Sequence, residues 1–402
     1  GLSTMLLLVI FLALTWCLLK MEELAREPQP RLNRLLAFAI SVGILTGIGA
    51  LTRYAFGWTI IPVTIFLILF SGQRRFACAL AALGVFAIVL TPWVIRNFAV
   101  SGTAFGTAGF AIMEGTAAFP RFQLEQSMQP VFSNAHRLAP YLLKFSGNLR
   151  DIFQNELPKL GGSWASVLFL AGLLLAFRNV AARRMRYFLL ICLGMFVIVQ
   201  SLGRTQLSEE SPEVNSENLL ILLAPLVFIY GASFFFTLLN QMQLPALQLR
   251  YAIISAFAAA CCLPMIFTLL PPKTNSVVFP PYFPPEIQKV AGWMKPDELM
   301  MADAPWAVAW YGDHQCAWLT ANAQNDFFAL NDNLKTVTGI YFTTEAMDQK
   351  FLSDMARDSD DGWGRFILAS GMQNIPPNFP LRTLKILSTG MFITDRQRWL
   401  AQ

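Results

Sequence analysis

Two short segments each place an arginine beside side chains that suit an anion-binding site. The first ends in Leu-Thr-Arg53-Tyr54, and the second reads Pro-Trp-Val-Ile-Arg96-Asn97. A guanidinium presents several N–H donors in a fixed fork that matches a pair of phosphate oxygens. Arg53, Tyr54, Arg96 and Asn97 are therefore candidates for binding a phosphate group.

A simpler interpretation competes with this one. Arginines at the end of an apolar helix commonly extend to lipid headgroups, and a nearby Trp commonly anchors a helix at the interface. Arg204 is a weaker third candidate because it begins an acidic loop and can pair with Glu209 or Glu210. Residue types alone leave both interpretations open.

Eight uncharged apolar stretches position these segments, each about as long as one bilayer crossing. A helix rises ~1.5 Å per residue, so ~17–25 apolar residues cross the ~30 Å hydrocarbon layer. Hydrophobic residues make up 55% of the chain and charged residues 14%, whereas soluble domains carry ~25% charged residues. We therefore predict an α-helical polytopic membrane bundle of about eight transmembrane helices. The predicted spans are residues 2–19, 35–51, 54–70, 76–94, 161–177, 187–202, 219–239 and 251–270.

The charges of the connecting loops predict which side each loop faces. Short cytoplasmic loops are enriched in Lys and Arg, and such residues concentrate in loops 20–34, 74–75 and 178–186. Parity then places residues 97–160 and everything after 270 outside the cytoplasm. The prediction is a multi-pass protein of the inner or plasma membrane.

Three regions follow from this pattern. Residues 1–270 form the transmembrane module with an outer loop at 97–160, residues 271–285 form a Pro-rich connector, and residues 286–402 form an extracytoplasmic α/β domain. Within the outer loop, apolar residues from Leu138 onward recur on one helical face, which suits either the headgroup layer or packing on the protein. In the last region, short apolar runs alternate with helical runs, which favours a partly parallel sheet. The predicted strands are 299–302, 317–319, 337–342, 366–369 and 381–387, with helical runs near 285–294, 305–311, 323–334 and 344–357.

The C-terminal region also has an aromatic segment that could bind a ligand. Trp306 and Trp310 follow Asp303, and indole faces beside a carboxylate suit carbohydrate. The i, i+4 spacing instead favours one buried helix face, with Asp303 as a helix cap. His314 beside Asp313 is interpreted as an ordinary surface histidine. The six cysteines show neither a disulfide framework nor zinc-ligand spacing.

The arginine segments and their helices resemble polytopic glycosyltransferases of the GT-C superfamily, in the branch related to protein O-mannosyltransferases and aminoarabinose transferases. One shared feature is a glycine-rich helix ending Leu-Thr-Arg53-Tyr54, followed by a helix containing Pro62. The other is a helix ending Pro-Trp-Val-Ile-Arg96-Asn97 ahead of a long outer loop. The resemblance covers residues 2–270. In that family the helix before the long outer loop is the seventh of the conserved module, so an N-terminally truncated chain beginning at the fourth helix is expected.

The resemblance implies transfer of a sugar from a polyprenyl-phosphate donor to an extracytoplasmic glycan, lipid or protein acceptor. Arg53, Tyr54, Arg96, Asn97 and Arg204 would hold the donor phosphate, whose charge increases as it leaves. The family's catalytic base is an acidic residue of its first outer loop, and no acid in residues 2–270 can be matched to it. We therefore expect this fragment to be inactive alone. A divalent metal ion is left open as a cofactor, and nucleic acid is not expected because the basic residues lie in short loops.

Two other functions use parts of the same sequence. A membrane transporter would require ionisable residues within its helices or internal repeats, and neither is found. A ligase or polymerase of surface polysaccharide, or a non-catalytic scaffold, would also use lipid-linked sugars and arginines on the outer face.

Overall fold

The chain folds into two compact units, one mostly helical and one built around a small sheet. The computed structural model describes residues 2–28, 31–120, 122–132, 136–160, 164–173, 180–203, 218–244, 246–269, 282–343, 363 and 378–399. The N-terminal unit comprises Gly1–Arg121 and His136–Pro271. The C-terminal unit comprises Phe122–Ala135 and Pro272–Gln402, so part of the outer loop belongs to it.

The helices of the described residues follow the apolar stretches closely. In chain order they are α1 (Leu2–Ala25), α2 (Leu32–Thr52), α3 (Ile60–Phe70), α4 (Arg75–Ser101), α5 (Gln123–Gln126), α6 (Leu138–Asp151), α7 (Leu157–Lys159), α8 (Trp164–Gly172), α9 (Val180–Gly203), α10 (Ala224–Gln241), α11 (Leu247–Leu269), α12 (Pro284–Ala291), α13 (Pro305–Gly312) and α14 (Asn325–Asn333). Short 3₁₀ segments at Tyr54–Thr59 and Leu219–Leu223 precede α3 and α10.

Within the described residues, five helical segments are long and apolar enough to cross a membrane. They are Ser3–Ala25, Leu32–Thr52, Gly72–Ser101, Arg183–Gly203 and Leu219–Gln241. Tyr54–Phe70 and Leu247–Leu263 are apolar but shorter. The predicted span at 161–177 lies partly outside the described residues, and α8 occupies its described part. The mostly helical architecture is therefore confirmed. Five segments of the described residues meet the length criterion for a span, and the prediction of about eight membrane spans stays a prediction.

Helices α2 and α4 pack closely through glycines on one face of α2. A Cβ atom at Gly43 would lie 2.5 Å from the carbonyl oxygen of Ala82, and one at Gly47 would lie 2.7 Å from Val89 Cγ1. Small residues four apart let two helix backbones approach each other, as in membrane helix pairs. Gly43 lies opposite Ala82, and Gly47 lies opposite Val89, so the contacting residue numbers increase in the same direction along both helices. Helices α2 and α4 therefore run parallel, and their C-terminal ends lie side by side.

Helix α4 continues beyond its predicted end at residue 94. Pro92 lies inside the helix, and the chain stays helical to Ser101, where Gly102 takes a left-handed conformation with φ 70°. Glycine adopts that conformation without a steric penalty, which makes it the usual residue after a helix end. Arg96 and Asn97 therefore lie on the last turns of α4, and the outer loop begins at Gly102.

A buried carboxylate ties together one end of the N-terminal unit. Glu22, only 1% exposed, accepts hydrogen bonds from Arg26 at 2.6 Å and from Arg184 of α9 at 2.5 Å. The Arg184 guanidinium also lies 5.4 Å from the ring centroid of Phe70. Two cations on one buried carboxylate offset its desolvation, so the C-terminal ends of α1 and α3 meet the N-terminal part of α9.

A lysine of α6 holds the first part of the outer loop. Lys144 Nζ donates to the carbonyl oxygens of Ala111 at 2.6 Å and of Glu114 at 2.5 Å. Burial lowers the pKa of Lys144 to about 8, although the Glu114 charge opposes that shift. Asn148 Nδ2 donates to the Ser201 carbonyl oxygen at 3.0 Å, which joins α6 to the C-terminal end of α9.

The described residues of the C-terminal unit form a five-stranded mixed sheet with helices on both faces. The strands are β1 (Leu299–Ala302), β2 (Cys316–Trp318), β3 (Val337–Phe342), β4 (Thr383–Ile386) and β5 (Met391–Thr394), in the order β2-β1-β3-β5-β4. Strand β1 pairs in parallel with β2 and β3, whereas β5 pairs antiparallel with β3 and β4. The prediction of a partly parallel sheet is confirmed; the predicted strand at 366–369 and the helical run near 344–357 lie outside the described residues.

Alternating residues of the strands build a separate core on each face of the sheet. Met300, Ala302 and Tyr341 pack with α12 and α13, whereas Met301 and Ile340 pack on the α14 side. This alternation is the period-two pattern of a strand buried on both faces. Helices α12 and α13 therefore cover one face of the sheet, and α14 covers the other.

The outer-loop part of this unit is fastened by Asp326, near the start of α14. The carboxylate of Asp326 accepts hydrogen bonds from Ser127 Oγ at 3.1 Å and from the Met128 backbone N–H at 2.8 Å. The Ala321 backbone N–H donates to the Gln126 carbonyl oxygen at 2.9 Å. Asp326 itself is buried, so these bonds satisfy a charge that is removed from water.

Candidate functional site

The hydroxyl of Tyr54 joins the two arginine segments. Trp93 Nε1 donates to Tyr54 Oη at 2.5 Å, and Asn97 Nδ2 donates to the same oxygen at 3.0 Å. Tyr54 follows the end of α2, whereas Trp93 and Asn97 lie on the last turns of α4. A phenolic oxygen that accepts two hydrogen bonds still has its own proton to donate, so Tyr54 can donate to a further acceptor.

The backbone after α2 places Tyr54 in this position. Arg53 is extended, with φ −154° and ψ 119°, which ends α2 and starts the 3₁₀ segment. That segment folds back over α2 because Gly49 leaves room for the buried Phe56 ring, whose nearest carbon lies 2.3 Å from where a Cβ would be. Any larger residue at 49 would displace the turn that carries Arg53 and Tyr54.

Asn97 is the buried centre of the arrangement. Its side-chain amide also lies 3.4 Å from the Ala104 carbonyl oxygen, which ties the start of the outer loop to α4. The rings of Phe105 and Tyr54 pack edge to face, with their centroids 5.7 Å apart. Tyr54 thus contacts the Phe105 ring and accepts hydrogen bonds from Trp93 and Asn97 at the C-terminal ends of α2 and α4.

Arg96 supplies an exposed positive charge next to this arrangement. Its guanidinium carbon lies 4.9 Å from the centroid of the Trp93 ring. A guanidinium held over an indole keeps its N–H donors in the plane of the group, where they can reach anionic oxygens. Arg53 is half-buried and directly precedes Tyr54. Tyr54, which follows Arg53, is therefore hydrogen-bonded to Asn97, which follows Arg96.

Four of the five candidate phosphate-binding residues belong to this end of the N-terminal unit. They are Arg53, Tyr54, Arg96 and Asn97. Arg204, the fifth candidate, lies outside the described residues. The residues that sequence reasoning missed are Trp93 as a hydrogen-bond donor and Phe105 as a ring partner; Trp93 was assigned only the role of an interfacial anchor.

The aromatic segment of the C-terminal unit differs from its predicted packing. Trp306 is 49% exposed and Trp310 is 82% exposed, whereas Ala307 and Val308 form the buried face of α13. The prediction of a buried Trp face is therefore wrong. The small Ala307 and Val308 side chains let the opposite face of the helix pack on the sheet.

Asp303 links the ends of two strands by hydrogen bonds and is not the N-cap of α13. Its carboxylate accepts hydrogen bonds from the Thr343 backbone N–H at 2.9 Å, from Thr343 Oγ1 at 2.9 Å and from the Ala304 N–H at 2.9 Å. The N-cap residue of α13 is Ala304. These bonds connect the carboxyl ends of β1 and β3, so the helix-cap interpretation of Asp303 is wrong.

His314 is buried, so its interpretation as a surface histidine is wrong. Its Nε2 atom has no hydrogen-bond partner among the described residues, and burial lowers the pKa of its imidazole. Its chain neighbour Asp313 is exposed and has a left-handed backbone.

Comparisons with other proteins do not assign this chain to a family. The chain matches no protein-family model, no curated protein and no solved structure. In the described part of the chain, no group of three or more His, Cys, Asp or Glu side chains could hold a metal ion. The arrangement at the ends of α2 and α4 is the candidate functional site of the described residues.

Proposed function

We propose that this chain belongs to a membrane glycosyltransferase of the GT-C type, whose donor is a polyprenyl-phosphate-linked sugar. The donor phosphate binds at the C-terminal ends of α2 and α4, between Arg96, Arg53 and the Tyr54 hydroxyl. The acceptor is a glycan, lipid or protein outside the cytoplasm. A surface-polysaccharide ligase would bind the same kind of phosphate and is the second candidate.

The observation that carries the proposal is the pair of hydrogen bonds to Tyr54. They bring together two arginine-bearing segments that are about forty residues apart, at matching ends of parallel helices. Headgroup anchoring does not require Asn97 to be buried against Tyr54, because each arginine could reach the interface alone. A phosphate site requires groups from both segments to lie together, and the hydrogen bonds of Trp93 and Asn97 to Tyr54 support the proposal by joining the two segments.

The proposal also places this site outside the cytoplasm, in a bundle of about eight spans. The opposite end of the unit carries Glu22 with Arg26 and Arg184, and the exposed pair Arg74 and Arg75. Clusters of Lys and Arg favour the cytoplasmic side. The outer loop and the C-terminal unit then share one side, which agrees with the bonds that join Gln126, Ser127 and Met128 to that unit.

Cysteine labelling in intact cells checks this orientation. In a background without native cysteines, an impermeant maleimide should label Asn333→Cys at the end of α14 and leave Gln73→Cys unlabelled until the cells are opened. Both positions are exposed, so access differs only by side. Labelling at position 73 together with protection at position 333 would reverse the orientation and contradict the proposal.

Lipid binding tests the function itself. The chain in nanodiscs should bind undecaprenyl phosphate and should not retain undecaprenol, which has the same hydrocarbon chain without the phosphate. Removing the phosphate removes the group that the arginines recognise. Equal retention of the two lipids would show that the chain recognises only hydrocarbon, and the proposed donor site would be wrong.

A further inference from the structure

Helix α13 exposes two large aromatic rings at the surface of its unit. Trp306 and Trp310 lie four residues apart on one face, 49% and 82% exposed, with Ala309 between them. The sequence of the helix, PWAVAWYG, contains no charged residue. An uncharged helix face with two exposed indoles is unusual in water and marks an interaction surface.

The two ends of α13 lie next to the two places where the chain enters the C-terminal unit. Near its start, the ring centroids of Trp306 and Trp318 are 6.3 Å apart, and those of Trp318 and Phe122 are 5.4 Å apart. Phe122 is the first residue of the outer-loop part of this unit. Near its end, the ring centroids of Tyr311 and Tyr282 are 6.0 Å apart. Tyr282 is the first residue that the structure describes after α11.

We infer that the exposed face of α13 (Trp306, Ala309 and Trp310) lies in the headgroup layer of the outer membrane leaflet. Both chain entries come from apolar helices of the N-terminal unit, α4 and α11. The connector from Leu269 to Tyr282 reaches at most roughly 45 Å when fully extended, so the chain entry beside α13 is tethered to the end of α11. Trp is enriched at that depth because its ring is amphipathic.

Carbohydrate is the weaker occupant of this face. A sugar site needs polar groups beside the aromatic rings. Of the two carboxylates nearest along the chain, Asp303 is buried and already accepts hydrogen bonds from Thr343 and Ala304. The other, Asp313, is exposed but lies beyond the last residue of the helix, where the backbone turns left-handed. The inference rests on the membrane spans and their orientation, and it does not depend on transfer of a sugar.

Quenching by brominated lipids tests this inference on the whole chain. The chain is reconstituted in nanodiscs with or without lipids brominated on the acyl chain near the headgroup. The emission of Trp310 is obtained as the difference between the wild-type protein and Trp310→Phe. Most of that emission should be lost in brominated nanodiscs, because bromine quenches indoles that it contacts.

A matched control uses the other face of the sheet. Leu334, which follows α14, is 69% exposed, and the additional emission of Leu334→Trp should be unchanged by brominated lipid. Trp310 emission that is equally insensitive would overturn the inference. A shift of Trp310 emission on addition of a soluble oligosaccharide, without lipid quenching, would also overturn it and would assign the face to carbohydrate.

Discussion

Arg96→Ala is expected to weaken binding of undecaprenyl phosphate by ~10–100-fold, because a hydrogen bond to a charged group contributes ~1.5–3 kcal/mol and ~1.4 kcal/mol is tenfold in affinity. The Arg96 guanidinium is exposed and lies over Trp93, so its loss removes a phosphate ligand without emptying a core. Arg53→Ala should have a similar effect. Arg96→Lys should restore only part of the affinity, since lysine lacks the two-pronged geometry. Equilibrium binding in nanodiscs measures each change.

Arg75→Ala is the matched control for this prediction. Arg75 is exposed on the same helix and lies 5.0 Å from the Phe76 ring centroid, at the opposite end of α4. If a local site binds the phosphate, Arg75→Ala should leave affinity unchanged. Equal losses for Arg75→Ala and Arg96→Ala would indicate a general effect of positive charge. Wild-type affinity in both Arg53→Ala and Arg96→Ala would make these residues ordinary headgroup anchors.

Gly43→Val is expected to separate α2 from α4 and to lower both stability and lipid binding. A Cβ at position 43 would lie 2.5 Å from a backbone oxygen of Ala82, which no side-chain rotation can relieve. Overpacking of this kind costs ~1–3 kcal/mol, and more where backbone must move. Because Tyr54 follows the end of α2 and Asn97 lies on α4, moving the two helices apart should also break the hydrogen bond at the candidate site. Thermal unfolding in detergent and undecaprenyl phosphate binding measure the two effects.

Gly84→Val provides the comparison on the partner helix. A Cβ at Gly84 has no heavy atom within 4 Å among the described residues, so the same added side chain should be accommodated. The melting temperature and affinity of Gly84→Val should remain close to those of the wild type. Equal melting temperatures for Gly43→Val and Gly84→Val would mean that close packing of α2 on α4 does not hold the site together.

The helices and parallel strands could be predicted because their signals are local. The apolar run at 35–51 contains no charge and became α2 (Leu32–Thr52), and residues 337–342 became β3 within the same bounds. The predicted span 76–94 stops short of the end of α4, because Arg96 and Asn97 end the uncharged apolar run while the backbone stays helical to Ser101. Gly102, with its left-handed conformation, is the residue that ends the helix.

The candidate site could be predicted only in part. Parity of the spans places Arg53 and Arg96 on one side, but no periodicity indicates that Tyr54 accepts hydrogen bonds from Trp93 and Asn97. These contacts depend on how closely Gly43 and Gly47 let two helices approach, a property of the folded pair. That both arginines reach one phosphate stays a prediction.

Other features have no local sequence signal. The attachment of Ser127 and Met128 to Asp326 joins residues about two hundred positions apart, and neither segment has a pattern that points to the other. The spacing of Trp306 and Trp310 correctly places both rings on one face of α13. Spacing does not state which face is buried, and Ala307 and Val308 decide it by packing on the sheet.

The central claim is that the ends of α2 and α4 hold the phosphate of a polyprenyl lipid. Its most direct test is an electron cryomicroscopy structure of the chain in nanodiscs containing undecaprenyl phosphate. The account predicts phosphate density within hydrogen-bond distance of the Arg96 guanidinium and the Tyr54 hydroxyl. Phosphate density at the opposite end, near Arg74 and Arg75, with Arg96 directed at ordinary headgroups, would contradict it.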